Sequence, residues 1–143
     1  MNRIDAVFSR LEEKNEAALV IYLTAGDPDI ETTEELLKTI QNAGADIIEV
    51  GIPFSDPMAD GPTIQRAAKR ALDNGVTLTR ILDMVSSLRD ELTVPIVLFG
   101  YYNPILSYGP KRFAKAAAKA GVCLLYTSPS PRDRTRSRMP SSA

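Results

Sequence analysis

The chain has 143 residues, 44% of them hydrophobic and 6% aromatic, with a formal net charge of −1. This composition excludes a fibrous or wholly disordered protein, and near-neutral charge argues against a nucleic-acid partner, which would call for a basic face. A single cysteine, Cys123, leaves no internal disulfide or cysteine metal cluster, and with no histidine any acid-base chemistry falls to carboxylates, lysine or tyrosine.

Ile4, Phe8 and Leu11 stand at helical spacing and predict a short amphipathic helix covering the bottom of the core. No secretory apolar stretch precedes it and no apolar run approaches the roughly 20 residues of a membrane span, so no membrane is expected as partner and a cytoplasmic location is the default. Ala18 to Ala25 is a continuous apolar run ending in Gly26, Asp27 and Pro28, which predicts a strand buried on both faces followed by a turn. Thr32 with Glu35 three positions on reads as a capping box, after which Leu36, Leu37, Ile40 and Ala43 keep one face apolar until Gly44.

The unit then repeats. Ile47 to Val50 predicts a second strand, and Pro62 to Asn74 a helix burying Ile64, Ala67, Ala68, Ala71 and Leu72. A further helix from about Thr79 turns Ile81, Leu82, Val85 and Leu88 inward. Pro95 to Gly100 predicts a third strand, and Phe113 to Ala120 an alanine-rich helix stopped by Gly121. Strand and helix in alternation predict an α/β fold with a parallel sheet, either an eight-stranded barrel or an open doubly wound sheet.

From Thr127 onward the character changes. TSPSPRDRTRSRMPSSA holds four arginines and one aspartate, a charge of +3, which leaves −1 − 3 = −4 for the rest. Such a segment buries too little to offset the entropy of ordering itself. It reads either as a basic disordered tail that binds something acidic or as translated adapter or vector sequence; the second reading is adopted, giving a domain over 1–122 and a disordered foreign tail over 123–143.

Chemistry concentrates in Ile48 to Ala67, IEVGIPFSDPMADGPTIQRA. Glu49 lies in an otherwise apolar strand, where a carboxylate is costly unless it faces a polar cavity. Asp60 follows 60 − 49 = 11 positions later, in a Pro/Gly-rich loop that also holds Asp56. In parallel α/β folds ligands gather at the C-terminal ends of the strands, so the carboxylates converge on one rim. Plainer readings exist for each: an ion pair for Glu49, turn formation for Asp56, a helix cap for Asp60, or a magnesium site for the cluster.

The run IEVGIPFSDPMADGPTIQ resembles the signature of the tryptophan synthase alpha family. TAGDPD at Thr24 to Asp29, AGADIIE at Ala43 to Glu49 and FGYYNP at Phe99 to Pro104 support it, over residues 1–122. The resemblance implies a (β/α)8 TIM barrel, truncated to about the first three βα units plus an N-terminal helix, since such a barrel needs about 250 residues. It implies a lyase of tryptophan biosynthesis that cleaves indoleglycerol phosphate to indole and glyceraldehyde 3-phosphate. Glu49 and Asp60 would be the catalytic carboxylates, with Tyr22, Ile64, Phe99 and Tyr101 lining the indole pocket. Pro53, Asp56, Met58 and Asn103 would face a beta subunit in an alpha2beta2 complex. No metal is implied, and no cofactor in this subunit, pyridoxal phosphate belonging to the beta subunit. Two alternatives stand beside this: an inactive chimeric fragment, or another phosphosugar barrel such as indoleglycerol phosphate synthase, which would need a lysine at a strand end.

Overall fold

A computed structural model describes residues 2–127. The element order is α1 (Arg3–Lys14), β1 (Val20–Thr24), α2 (Ile30–Asn42), β2 (Ile47–Gly51), α3 (Pro62–Asp73), α4 (Leu78–Ser87), β3 (Ile96–Gly100), α5 (Tyr102–Tyr108), α6 (Pro110–Ala120) and β4 (Leu124–Thr127). The four strands are parallel and lie in the sheet in chain order, β1-β2-β3-β4. A doubly wound sheet reverses its strand order at a switch point. Sequential order without reversal is that of a barrel wall, and four strands are half of a barrel of eight.

Successive side chains of a strand point to opposite faces, and register partners in neighbouring strands share a face. One face carries Ile48, Val50 and Leu98, all fully buried, and it is the face the helices cover. Ile81 and Val85 of α4, Leu37 of α2 and Phe113 of α6 belong to the same core. Each such side chain contributes roughly 1.5 to 3 kcal/mol by leaving water. The opposite face carries Tyr22, Glu49, Val97 and Leu124 in one row and Thr24, Gly51, Phe99 and Tyr126 in the next. That face is uncovered toward the sheet edges, where Val20, Leu124 and Tyr126 are 43%, 49% and 52% exposed, while Thr24 and Val97 on it are buried.

α1 lies at the N-terminal end of the sheet. Arg3 donates to the carbonyls of Leu92, Thr93 and Val94 just before β3, and Arg10 pairs with Asp46 just before β2 at 2.7 Å. Of the three residues read as its apolar stripe, Leu11 is buried while Phe8 stays half exposed. Three further differences from the sequence reading have physical causes. β1 is an edge strand with one open face, not a strand buried on both faces. α2 begins at Ile30 because Asp29 is its cap, accepting from the Thr32 amide at 2.7 Å, so Thr32 and Glu35 form no capping box; these hydrogen bonds also hold the Asp29 carboxyl below its ordinary pKa.

The third difference is β4. Leu124–Thr127, assigned from sequence to a disordered tail, pairs along β3, so the sheet has four strands where three were expected. Leucine, tyrosine and threonine suit a half-buried pleated edge. The remainder of the proposed tail, 128–143, lies outside the described residues. No helix among the described residues is long and apolar enough to cross a membrane.

Candidate active site

Glu49 is the central residue of β2, register partner of Tyr22 on one side and Val97 on the other, and it projects from the open face. It is half-buried, and among the described residues it forms no ion pair and no side-chain hydrogen bond. The ion-pair reading therefore has no partner here, and the carboxylate is left facing the space a closed barrel would enclose.

Gly51, two residues on, makes room for a neighbour. A Cβ there would stand 2.1 Å from the Tyr22 hydroxyl, so only glycine lets the Tyr22 ring lie across β2. Tyr22 meets Phe99 edge to face at 6.0 Å, and Phe99 stacks on Tyr126 at 5.4 Å, forming an aromatic floor beside Glu49. Gly51→Ala is expected to displace the Tyr22 ring and to destabilise the fold by about 1 to 3 kcal/mol, the usual range for overpacking, measured by urea denaturation.

The loop between β2 and α3 carries Asp60. It does not cap α3: the cap is Gly61, which makes no side-chain hydrogen bond, with Pro62 as the first helical residue. Instead the loop is pinned from across the sheet. The Tyr101 hydroxyl, just past β3, accepts from the Ala59 amide at 2.8 Å and donates to Asp60 Oδ2 at 3.2 Å. The Phe54 ring packs on Tyr101 at 5.3 Å. Gln65 Nε2 donates to the carbonyls of Asp60 at 2.9 Å and Pro57 at 3.3 Å. These contacts fold the loop back over the C-terminal rim.

Glu49 and Asp60 thereby share a neighbourhood. The Tyr22 hydroxyl is pushed above its ordinary pKa chiefly by burial; a hydrogen bond with Thr24 opposes this, and the charges of Asp60 and then Glu49 add to it. Tyr101 is raised likewise, first by burial and also by the Asp60 charge. The charges of both carboxylates thus reach the phenol of Tyr22, which is the register partner of Glu49 across the β1–β2 ladder.

Of the other residues singled out from sequence, Phe99 belongs to this floor, and Tyr101 is at once a rim residue and the tether of Asp60. Ile64 is half-buried in the first turn of α3. Met58, 90% exposed, and the exposed Asp56 stand on the outer loop, and Asn103 is exposed on α5. Pro53 does not join them. It is buried, because the preceding Ile52 prolongs the β2 ladder, its amide donating to Phe99 O at 2.7 Å, and holds Pro53 against the sheet. Asp56 stands apart from any metal-binding constellation, since the described residues contain no group of three or more metal-ligating side chains.

Sequence reasoning missed two supports. Arg70 of α3 holds Asp27 with two hydrogen bonds of 2.7 and 2.8 Å, tying the TAGDPD loop to α3 at the same rim. Gly26 in that loop has φ +82°, and a Cβ there would overlap Val76. A cavity of about 720 Å³ lies between Phe54, Ser55 and Pro57 of the Asp60 loop and Gln65, Arg66 and Lys69 of α3, but neither Glu49 nor Asp60 lines it. The candidate site is the open face and not this outer trough.

Comparison with known proteins agrees with this architecture. The family described as tryptophan synthase alpha chain matches over residues 8–137. The tryptophan synthase alpha chain of Citrifermentans bemidjiense is 58% identical over 122 residues, covering 85% of this chain and 46% of the relative. That of Geobacter sulfurreducens is 56% identical over the same length and the same shares. Among solved structures, tryptophan synthase subunit alpha from Legionella pneumophila superposes with a TM-score of 0.83 at 46% identity, over 85% of this chain and 47% of that one. An aminoacrylate-bound tryptophan synthase from M. tuberculosis gives 0.86 at 37% identity, over 95% and 56%. The chain spans about half the length of the curated relatives it matches. On this evidence, and with four sequential parallel strands forming part of a TIM barrel, the chain belongs to the tryptophan synthase alpha chain family.

Proposed function

We propose that the open face bearing Glu49 and Asp60 is the part of a tryptophan synthase alpha site that breaks the carbon-carbon bond of indoleglycerol phosphate. The observation that carries this reading is Glu49 on the open face beside Tyr22 with no ion pair among the described residues, together with Asp60 held at the C-terminal rim by the Tyr101 hydroxyl and not used as the cap of α3. In the reaction the bond between the indole ring carbon and the glycerol side chain breaks. The ring carbon gains a proton, the side-chain hydroxyl loses one, and positive charge passes transiently to the ring nitrogen. Glu49 is placed to move protons, and Asp60 to accept the indole N–H and stabilise the charge there. Tyr22, Phe99 and Tyr101 supply the aromatic walls, with Ile64 at the helix end above them.

The exposed Asp56, Met58 and Asn103 form the surface we assign to a beta subunit, which would carry pyridoxal phosphate and consume the indole; Pro53 supports that loop from beneath. The alpha chemistry needs no cofactor in this reading. None of the four described strands ends in a lysine, which disfavours the indoleglycerol phosphate synthase alternative. The chemistry lies within 1–122, with Tyr126 of β4 adding to the aromatic floor beside Glu49.

A polypeptide of these 143 residues alone is expected to be inactive. Phosphate sites of such barrels lie in the loops after strands seven and eight, and each lost charge-assisted hydrogen bond costs about 1.5 to 3 kcal/mol. The open face also leaves both carboxylates screened by water. Indole release from indoleglycerol phosphate is compared for this polypeptide and for the same residues joined to the remaining strands of a family barrel. Release by the completed barrel, and none by the 143 residues above a Glu49→Gln control, is the expected result; an inactive but folded completed barrel would reject the assignment.

A further inference from the structure

α3 begins two residues after Asp60, and its first turn holds Ile64. A helix of 12 residues is a rod of about 18 Å, so whatever fixes its far end also aims the end that carries the site. The near end is held by the Tyr101 hydroxyl, through Ala59 and Asp60, and by Gln65. A separate set of contacts holds the far end. Arg70 Nε and Nη2 donate to the two carboxylate oxygens of Asp27 at 2.7 and 2.8 Å, a fork that fixes orientation as well as distance. Asn74, one turn on and on the same side of the helix, donates to the Pro28 carbonyl. Val76 then fills the space above Gly26 that a Cβ would occupy.

The loop gripped in this way is anchored in turn. The Gly26 amide donates at 2.9 Å to the hydroxyl of Thr33, which is fully buried, and Asp29 caps α2. Asp27 follows Thr24, the last residue of β1, by three positions, and Thr24 shares a hydrogen bond with Tyr22. α3 itself packs on β1. The fork therefore joins the strand that carries Tyr22 to the helix that Asp60 leads into. An ion pair whose arginine is 54% exposed adds little to stability by itself. Its two fixed distances set alignment.

We infer that Asp27 and Arg70 are a positioning pair, whose fork sets the tilt of α3 on β1 and through it the placement of Asp60 and Ile64 relative to Tyr22. Both act through α3 and not on the reacting atoms. The inference deepens the reading proposed for the carboxylates, and its first test does not depend on that reading.

That test is amide exchange in the 143-residue chain, followed by nuclear magnetic resonance. In Arg70→Ala and in Asp27→Ala, exchange at the Ala59 and Gln65 amides, beside the opposite end of α3, is expected to quicken by on the order of tenfold, because local opening there is no longer opposed. The double variant should add nothing to either single change, since each removes the same fork. Thermal unfolding should shift by about 5 °C or less, and amides of β2 and β3 should keep their rates. Arg70→Gln replaces Arg70→Ala if the alanine variant does not fold. Quickening confined to residues 26–29 and the last turn of α3 would make the fork a local brace and overturn the inference. Quickening spread evenly over the sheet would make it an ordinary stabilising contact and overturn it equally. In a barrel completed to eight strands, Arg70→Ala should lower kcat roughly 10- to 100-fold, the cost of a misplacement of about 1 Å, with a smaller change in KM. An active parent whose turnover Arg70→Ala leaves unchanged overturns the positioning role and spares the carboxylates; a parent that makes no indole rejects the carboxylate reading, and the exchange rates alone then decide the positioning.

Discussion

Glutamine in place of Glu49, in a chain completed to eight strands, is expected to lower indole release by roughly 100- to 10,000-fold, the range that a positioned proton-transfer group supplies. The fold should be untouched. Glu49 projects from the open face of β2 and holds no other side chain through an ion pair or hydrogen bond among the described residues, so a near-isosteric amide removes only the titrating group. The check is steady-state turnover alongside thermal unfolding. A turnover near that of the parent, at an unchanged melting temperature, would place the proton-transfer group elsewhere.

Asparagine in place of Asp60 is expected to cost about 100- to 1000-fold in kcat, comparable to losing one preorganised electrostatic contact to a developing charge. The prediction differs from the first in its signature. The amide oxygen can still accept from Tyr101, so the loop held by the Ala59 and Gln65 hydrogen bonds keeps its shape, and KM should change much less than kcat. Parallel losses in KM and kcat with a disordered loop would instead mark Asp60 as a structural residue. These two outcomes separate charge stabilisation from loop architecture, which proximity alone does not.

Much of this was legible in the sequence because the signals are local. Three strands read as apolar runs between Gly and Pro, and α3 and α4 read from their helical period; the carboxylate of Glu49 stood out because an apolar strand has no use for it. α5 was not legible. Its seven residues, YNPILSY, contain a proline, and its first cap, Tyr101, offers no capping side chain. β4 was hidden by the arginine-rich segment that follows it, although Leu124 to Thr127 is an ordinary strand sequence taken alone. The start of α2 was misplaced because two capping signals, Asp29 and Thr32, stand three residues apart, and only the observed hydrogen bond distinguishes them.

Within the site, long-range pairing is what sequence could not supply. Tyr101 reads as one more aromatic wall, yet its hydroxyl reaches across 41 positions to fix Asp60. Arg70 reads as a solvated helix residue, yet it spans 43 positions to Asp27. Pro53 reads as a surface residue from its loop and is buried by one extra rung of the β2 ladder. In each case the deciding contact joins segments that only the parallel sheet brings together.

The most direct test of the central claim is a crystal structure of the completed barrel with an unreactive indoleglycerol phosphate analogue bound. The account predicts the indole ring on the open face against Tyr22 and Phe99, with Asp60 accepting its N–H and the Glu49 carboxylate beside the carbon and hydroxyl between which the proton moves. An analogue held in the outer trough between Phe54 and Lys69, or seated with its indole nitrogen turned away from Asp60, would contradict it.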